Sequence, residues 1–256
     1  MKVDLIIPTI EKDLPILPLS VESCRKYIQD DIDKIYVVAP TTDRIKNRCD
    51  RLGVELVNEK DYLGFGIDDM PMRKDRRGWV YQQLIKIKGL LGNNRHYIVM
   101  DSDKVLLKPH RFYNDEKDCP VFFMANHECN VKQNLWKLLN FPKIEDQSFV
   151  TDKMIFDKAV INEIHRALEI AHGGKKWENV IMDSYDDGSY FGFSEFEFYG
   201  NFYKNVLNFP CEQVHLNENV FNKIIFTLED CEKIFPDSDN VAFHSLLMNN
   251  DKLEDM

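Results

Sequence analysis

The stretch YIVMDSDKVLLKP, residues 97–109, decides how the rest of the chain is interpreted. Apolar, strand-forming residues run from Tyr97 to Met100 and end in two aspartates, Asp101 and Asp103. Residues two apart in an extended chain point the same way, so both carboxylates can face one ion. Buried strands rarely end in paired carboxylates unless a cation balances them. Because Mg²⁺ typically takes one or two protein carboxylates and adds water and phosphate oxygens, the stretch predicts a divalent metal site.

Bulk composition narrows the class of protein. The chain has 256 residues, of which 44% are hydrophobic and 30% charged, as expected for a soluble globular protein with a real core. A net charge of −10 disfavours nucleic acid as the main partner, although a metal and local cations can still bring in a nucleotide. The six dispersed cysteines without a CxxC motif favour free thiols in a reducing cytoplasm.

Targeting signals are not evident. No apolar run approaches the ~18 residues of a transmembrane helix. The N-terminus, MKVDLIIP, contains a charge at Asp4 and is interpreted as a first strand rather than a signal peptide. We therefore expect a cytoplasmic protein, and leave open whether it associates peripherally with a membrane and whether it forms oligomers.

Predicted strands and helices alternate along the first half, and a charged, glycine-containing segment at 59–77 is expected to be a mobile loop. The predicted strands are 3–7, 34–38, 54–57 and 97–100, and the predicted helices are 20–28, 43–52 and 78–91. Strand–helix–strand repetition predicts crossover helices and a mainly parallel, three-layer α/β sheet.

The second half is less regular. A strand is predicted at 121–125, ending in Asn126 and His127. Helical patterns are predicted at 131–139, 153–171 and 175–182, and an aromatic and acidic segment follows at 190–201. We find no repeat or linker, so we expect one domain over residues 1–245 and a charged tail at 246–256.

Ligands of open α/β sheets bind at the carboxyl ends of the strands. Here those ends carry Pro8-Thr9, Ala39-Pro40 and the pair Asp101 and Asp103. The turn after the first strand has no GxGxxG or Walker lysine motif, which disfavours a Rossmann dehydrogenase or a P-loop enzyme.

Asp-x-Asp after an apolar strand, preceded by the helix RGWVYQQLIK at 77–86, resembles the nucleotide-sugar-binding half of GT-A glycosyltransferases. The layout is similar, more distantly, to the glycogenin and lipopolysaccharide-hexosyltransferase group. The segments GWVYQQL (78–84), FVTDKMIF (149–156) and FSEFEFYGN (193–201) resemble bacterial DUF-type glycosyltransferase-like proteins associated with surface polysaccharides. The resemblance covers residues 1–245 and implies a single GT-A-like (Rossmann-like) domain, Mn²⁺ or Mg²⁺, and a nucleotide-diphosphate sugar, expected to be a UDP-sugar.

The resemblance also implies a metal site. Asp103 would ligate the metal, and Asp101 would bind the metal or the donor ribose, with Ser102 between them at the cofactor. His244 falls where several GT-A enzymes add a histidine ligand, although a buried structural histidine explains it equally well. Pro8 and Thr9 fall where GT-A enzymes hold the nucleotide base.

Basic and polar residues before the Asp-x-Asp strand are candidates for donor binding. Trp79, Gln83 and Lys86 share one helix face, and Lys86 can neutralise donor phosphate or hold a sugar carboxylate. Arg77 belongs to a basic cluster with residues 73, 74 and 76 that is either a loop closing on the diphosphate or solvated surface.

The carboxylates of Glu195 and Asp152 are candidates for catalysis. Glu195 and Glu197 would point to one side of an extended segment whose aromatic residues suit sugar stacking, and Glu195 is our choice for an acceptor base. Asp152, interpreted as opening a helix, is either a helix cap or a contact to the donor sugar. Asn126 and His127 are similar candidates.

These observations favour metal-dependent transfer of a sugar from a nucleotide diphosphate to a hydroxyl of a glycan or glycolipid. Retention and inversion of the anomeric centre both remain open. A nucleotidyltransferase or other phosphoryl-transfer enzyme is one alternative, although the first strand lacks the signature of either a nucleotidyltransferase or a phosphatase. A non-catalytic nucleotide- or glycan-binding protein is the other.

Overall fold

The computed structural model describes residues 1–72, 74–125, 138–139, 148–185, 193–221 and 227–243. The predicted helix at 131–139 lies largely outside these residues. The strands are β1 (Lys2–Pro8), β2 (Asp31–Ala39), β3 (Glu55–Asn58), β4 (His96–Met100), β5 (Lys104–Leu106), β6 (Tyr113–Asn114), β7 (Cys119–Met124), β8 (Lys153–Asp157), β9 (Glu212–His215), β10 (Glu218–Val220) and β11 (Asn240–Ala242). The helices are α1 (Leu17–Tyr27), α2 (Asp43–Leu52), α3 (Glu59–Leu63), α4 (Lys74–Lys86), α5 (Lys158–Ala171), α6 (Trp177–Ser184), α7 (Glu195–Asn201) and α8 (Leu228–Ile234).

The main sheet has the strand order β3-β2-β1-β4-β8. The first four strands are parallel, as predicted, and their carboxyl ends share one edge of the sheet. Every residue of Val3–Ile7 is buried, so both faces of the central strand are covered. The mainly parallel α/β architecture predicted from the sequence is therefore confirmed.

Residues 153–157 were predicted to be helical, and this prediction is wrong. They form β8, which pairs antiparallel with β4, so that His96 lies opposite Asp157. The helix begins only at Lys158, where the Asp157 carboxylate accepts a hydrogen bond from the Ala159 amide (2.8 Å) and caps it. All five residues of β8 are buried, because pairing with the central sheet overrides the local helical pattern.

The shared face of Glu195 and Glu197 depended on an extended segment at 193–198, and the structure forms a helix there instead. Ser194 accepts a hydrogen bond from the Glu197 amide and starts α7, all of whose residues are buried. The aromatic side chains of this segment, including Phe196 and Tyr199, belong to the hydrophobic core rather than to a sugar-stacking surface. Glu195 and Glu197 therefore do not share the face that an extended chain would have given them.

The segment 59–77 is not a plain loop. It contains α3, a 3-10 turn at Ile67–Asp69 and the start of α4, which begins at Lys74 rather than at Gly78. Arg77 is held locally, because its Nε donates to the Met72 carbonyl (2.9 Å).

Two three-stranded sheets, β10-β11-β5 and β6-β7-β9, were not foreseen. Strand β5 follows Asp103 directly and pairs antiparallel with β11, which pairs parallel with β10. One face of this sheet packs into a second apolar cluster that contains Val105, Val241 and Phe243. The opposite face therefore carries Lys104 and Glu218 toward the end of β4.

Within the described part of the chain, no helix is long and apolar enough to cross a membrane. Four cysteines in that part are free thiols, as predicted: Cys24, Cys49, Cys119 and Cys231.

Candidate active site

A cavity of about 400 Å³ opens where β1 and β2 end. Pro8 closes β1, and the Thr9 amide donates to the Val38 carbonyl (3.0 Å), which fixes the turn beside β2. Trp79 and Gln82 of α4 form the facing wall. The cavity is lined by Pro8, Thr9, Ile10, Lys12, Asp13, Val38, Pro40, Glu59, Ile67, Gly78, Trp79, Tyr81, Gln82 and Ile85.

The predicted aspartate pair lies at the same sheet edge, one strand further along. Asp101 follows β4, and its amide donates to the carbonyl of Asp152 (2.9 Å), which immediately precedes β8. Because β8 runs antiparallel, its first residue meets the carboxyl end of β4. The prediction that Asp152 opens a helix is wrong. Asp152 precedes a strand and has a φ of 58°, an uncommon conformation for a residue other than glycine.

Crowded carboxylates raise one another's proton affinity at this edge. Burial, together with the charges of Asp101, Asp152 and Asp13, raises the pKa of Asp103 to about 8. Burial raises the pKa of Asp101 to about 6, against the opposing effect of Lys86. Burial also raises the pKa of Asp13, whose carboxylate accepts a hydrogen bond from Ser102 Oγ (3.4 Å). The raised pKa values mean that burial and mutual repulsion disfavour the charged forms of these carboxyls, and a cation bound between them would relieve that repulsion.

Lys86 joins two of the predicted site residues. Its Nζ lies 2.6 Å from Asp101 Oδ1 and 2.6 Å from Glu195 Oε1, and its side chain is 3% exposed. Gln83 supports this arrangement, because its Oε1 accepts from the Glu195 amide (3.2 Å). Gln82 donates to Asp101 Oδ1 (3.3 Å). Helices α4 and α7 thus present Gln83, Lys86 and Glu195 to the end of β4.

A second buried ion network was missed by the sequence reasoning. Lys104 Nζ lies 3.1 Å from Asp152 Oδ2 and 3.3 Å from Glu218 Oε1. Lys153 Nζ lies 3.0 Å from the same Glu218 oxygen. Burial would raise the pKa of Asp152, but Lys104 lowers it to about 2, so this carboxylate stays ionised. The alternation of acids and lysines at residues 101–104 and 152–153 was the available signal, but Glu218 comes from a distant segment.

The remaining candidates divide into two groups. Glu197 is fully buried and accepts a hydrogen bond from the Phe149 amide (2.9 Å), which holds α7 against the segment before β8. His244, Asn126, His127 and Arg73 lie outside the described residues.

The donor set suits a hard divalent ion. In the part of the chain that the structure describes, no three His, Cys, Asp or Glu side chains group at metal-binding distances. Mg²⁺ and Mn²⁺ sites that also bind phosphates need only one or two carboxylates, because phosphate oxygens and water complete the shell. Asp101 and Asp103 supply two carboxyl groups whose mutual repulsion a bound cation would relieve, and so fit such an ion.

Comparisons with known proteins bear on the fold. A family model described as a family of unknown function (DUF6492) matches residues 1–245. No curated protein matches the chain. The apo structure of the WbbM bifunctional glycosyltransferase is similar with a TM-score of 0.51 and 11% identity, over 94% of this chain and 45% of that chain.

Two further solved structures are similar at lower scores. The apo form of mouse xyloside xylosyltransferase 1 has a TM-score of 0.46 and 8% identity, over 94% of this chain and 97% of that one. Glucosyl-3-phosphoglycerate synthase from Mycobacterium tuberculosis, in complex with Mn²⁺, UDP and phosphoglyceric acid, has a TM-score of 0.45 and 10% identity, over 84% and 68% of the two chains. The likeness to WbbM, of which this chain spans less than half, agrees with the predicted GT-A-like fold class.

Proposed function

We propose that this chain, which belongs to the DUF6492 family, is a metal-dependent glycosyltransferase that moves a sugar from a UDP-sugar to a hydroxyl of a glycan or glycolipid. One observation carries the proposal: the cavity walled by Trp79 and the pair Asp101 and Asp103 lie side by side along one sheet edge. A nucleoside diphosphate has the same two parts, a flat base and a charged diphosphate, in the same order.

The cavity suits a nucleoside. Its volume of about 400 Å³ is in the range of small-molecule sites, and most of its lining is apolar. The Trp79 ring provides a flat surface for a base. Thr9 Oγ1 is buried and has no hydrogen-bond partner among the described residues, so it offers the base or ribose a polar contact.

Asp101 and Asp103 would hold Mn²⁺ or Mg²⁺, which when bound offsets the diphosphate charge and stabilises the leaving nucleoside diphosphate. Lys86 keeps Asp101 in place from the protein side and holds a positive charge beneath the diphosphate position. Ser102 lies between the two aspartates and ties them to Asp13 at the edge of the cavity.

The sugar of the donor would lie beyond the aspartates, toward β8. Asp152 is ionised and about a quarter exposed there, which suits hydrogen bonds from sugar hydroxyls. Glu195 remains our sequence-based prediction for the acceptor base. Its burial and its contact with Lys86 favour a different role, in which Glu195 orients Lys86 and through it Asp101.

A nucleotide-sugar panel tests the proposal. UDP released from UDP-sugars is measured with Mn²⁺ and with chelator, in the wild type, in Asp101→Asn and in Asp50→Asn, an exposed helical aspartate used as the matched control. We expect release with at least one UDP-sugar that requires metal, persists in Asp50→Asn and falls by about 10²-fold or more in Asp101→Asn. Absence of metal-dependent release from every UDP-sugar would contradict the proposal.

A further inference from the structure

The sheet edge sets an order of subsites. Along the strand order β2-β1-β4-β8, the edge presents first the cavity at Pro8, then Asp101, then Asp152. If the base and the diphosphate take the first two positions, the sugar and its acceptor come last. The next charged groups in that direction are those joined by Lys104, namely Asp152 and Glu218.

Glu218 is held rigidly by two lysines. Its Oε1 lies 3.0 Å from Lys153 Nζ and 3.3 Å from Lys104 Nζ. Lys153 is fixed in turn, because it also donates to the Thr151 carbonyl (3.3 Å) and lies over the Phe123 ring. A carboxylate bound twice through one oxygen has little freedom to move, which suits a group that positions a substrate.

The carboxylates form the accessible layer of this network. The side chains of Lys104 and Lys153 are 2% and 0% exposed, whereas those of Asp152 and Glu218 are 28% and 22% exposed. A ligand approaching from solvent therefore meets carboxylate oxygens, with the lysines behind them. Such a surface accepts hydrogen bonds from uncharged hydroxyls and repels phosphates and carboxylates.

A buried amide without a partner points to a polar ligand beside Glu218. Asn240 is fully buried, and neither its Nδ2 nor its Oδ1 has a hydrogen-bond partner among the described residues. Asn240 is the direct neighbour of Glu218 in the pair of β10 and β11, so the two side chains leave the same face of the small sheet. A hydroxyl or a water can donate to one of these groups and accept from the other.

We propose that Glu218, with Asn240 beside it and Asp152 on the side of the donor sugar, is the contact for the acceptor, and that Glu218 takes a hydroxyl of an uncharged group such as a neutral sugar. This inference rests on the proposed function. In the transfer, the bond between the anomeric carbon and the diphosphate oxygen breaks, and its electron pair stays on UDP. A bond forms from the acceptor oxygen to the anomeric carbon, and the hydroxyl proton passes to solvent. Glu218 orients the hydroxyl through its hydrogen bond.

Hydrolysis of the donor tests the inference without knowledge of the natural acceptor, because water then takes the place of the hydroxyl. The variant is Glu218→Gln, and UDP-sugar hydrolysis is measured together with UDP affinity in the presence of Mn²⁺. We expect hydrolysis to fall about tenfold or more, while the Kd for UDP stays within about twofold of the wild type. Glu212→Gln is the matched control, since Glu212 is also a partly exposed glutamate paired with a lysine, Lys117, and we expect it to be unchanged.

Glu218→Gln removes a counter-charge of two buried lysines and so can destabilise the fold. A second variant, Glu218→Gln with Lys153→Met, removes one negative and one positive charge, so the net charge of the buried ion network is unchanged. We expect it also to bind UDP and to hydrolyse the donor slowly. Wild-type hydrolysis in either folded variant overturns the inference, and so does loss of UDP affinity, which would place Glu218 with the donor. A wild type that binds no UDP contradicts the proposed function instead.

Discussion

At the scale of single residues, Lys86 decides the charge of the site. Its ammonium group is shared by Asp101 and Glu195 at 2.6 Å each. Burial disfavours its charged form, but the two carboxylates raise the pKa of Lys86 above its ordinary value. The lysine thus remains charged at neutral pH and fixes the orientation of the two buried carboxylates that contact it.

Replacing Lys86 tests this dependence. Lys86→Met leaves Asp101 and Glu195 without their shared cation, so we expect the free energy of unfolding to fall by about 3–5 kcal/mol. Lys86→Met combined with Glu195→Gln should lose less, because one uncompensated charge disappears. Urea unfolding without metal measures both, and Lys34→Met, in an exposed ion pair with Glu55, serves as the control. Wild-type stability in Lys86→Met would show that the ion network is not what holds this edge.

At the scale of elements, the close approach of the α4–β4 connection to β1 depends on a glycine. Gly92 has a φ of 69°, and a Cβ there would lie 2.0 Å from the carboxylate of buried Asp4. Gly173 has nearly the same φ, 68°, with nothing within 4 Å of a Cβ. Both glycines have a positive φ, but only Gly92 lies close to another side chain. Comparing substitutions at the two positions therefore separates the cost of backbone strain from the cost of steric overlap.

Alanine substitutions at these glycines should differ in cost. Gly173→Ala bears only the left-handed backbone penalty, about 1 kcal/mol. Gly92→Ala bears the same penalty and must also displace Asp4, so we expect about 1–3 kcal/mol more. Denaturant unfolding of the two variants measures the difference. Equal losses of stability would mean that the connection shifts freely away from β1.

The packing of α5 against α6 makes stability depend on pH. The rings of His165 and Trp177 stack at 4.0 Å and 6°, and His165 Nε2 lies 3.0 Å from the Ile87 carbonyl. Burial lowers the pKa of His165 to about 4. In the unfolded chain a histidine has a pKa near 6.5. Between pH 6.5 and about pH 4 the unfolded chain therefore binds a proton at this histidine and the folded chain does not, so the free energy of unfolding falls as the pH is lowered through this range.

Between pH 6.5 and 4 we expect this histidine to remove up to about 1.4 kcal/mol of stability per pH unit. His165→Phe keeps the stacking and removes the titration, so its stability should fall less steeply over that range. Part of the slope will remain, because burial also lowers the pKa of His110 to about 4. Thermal melts at several pH values measure the slopes, and equal slopes in the two proteins would contradict the burial argument.

Some of these strands and helices could be predicted from the sequence, and others could not. The apolar runs of β1, β2 and β4 predicted the parallel sheet and put Asp101 and Asp103 at its edge, because strand ends follow from local pattern. Residues 153–157 were misassigned, since only pairing with β4 distinguishes a buried strand from the start of a helix there. Glu218 could not have been found, because its position depends on the long-range pairing of β10 with β11 and of β11 with β5.

At the scale of the whole molecule, the edge of the parallel sheet sets the order of the proposed subsites. Its edge carries an apolar cavity, then two acidic groups, then a network of buried lysines faced by carboxylates. These three chemistries match a base, a diphosphate with its metal, and hydroxyl-bearing sugars. The central claim is that the first two positions act together on one ligand.

Isothermal titration calorimetry of UDP tests that claim most directly, with Mn²⁺ and with chelator, in the wild type and in Asp103→Asn. We predict that Mn²⁺ tightens UDP binding about tenfold or more in the wild type, since a metal held by the aspartates would offset the charge of the diphosphate. Asp103→Asn should retain the weak, metal-free binding through the cavity and lose most of the gain. The same UDP affinity with Mn²⁺ and with chelator in the wild type would contradict a shared metal–nucleotide site at the end of β4.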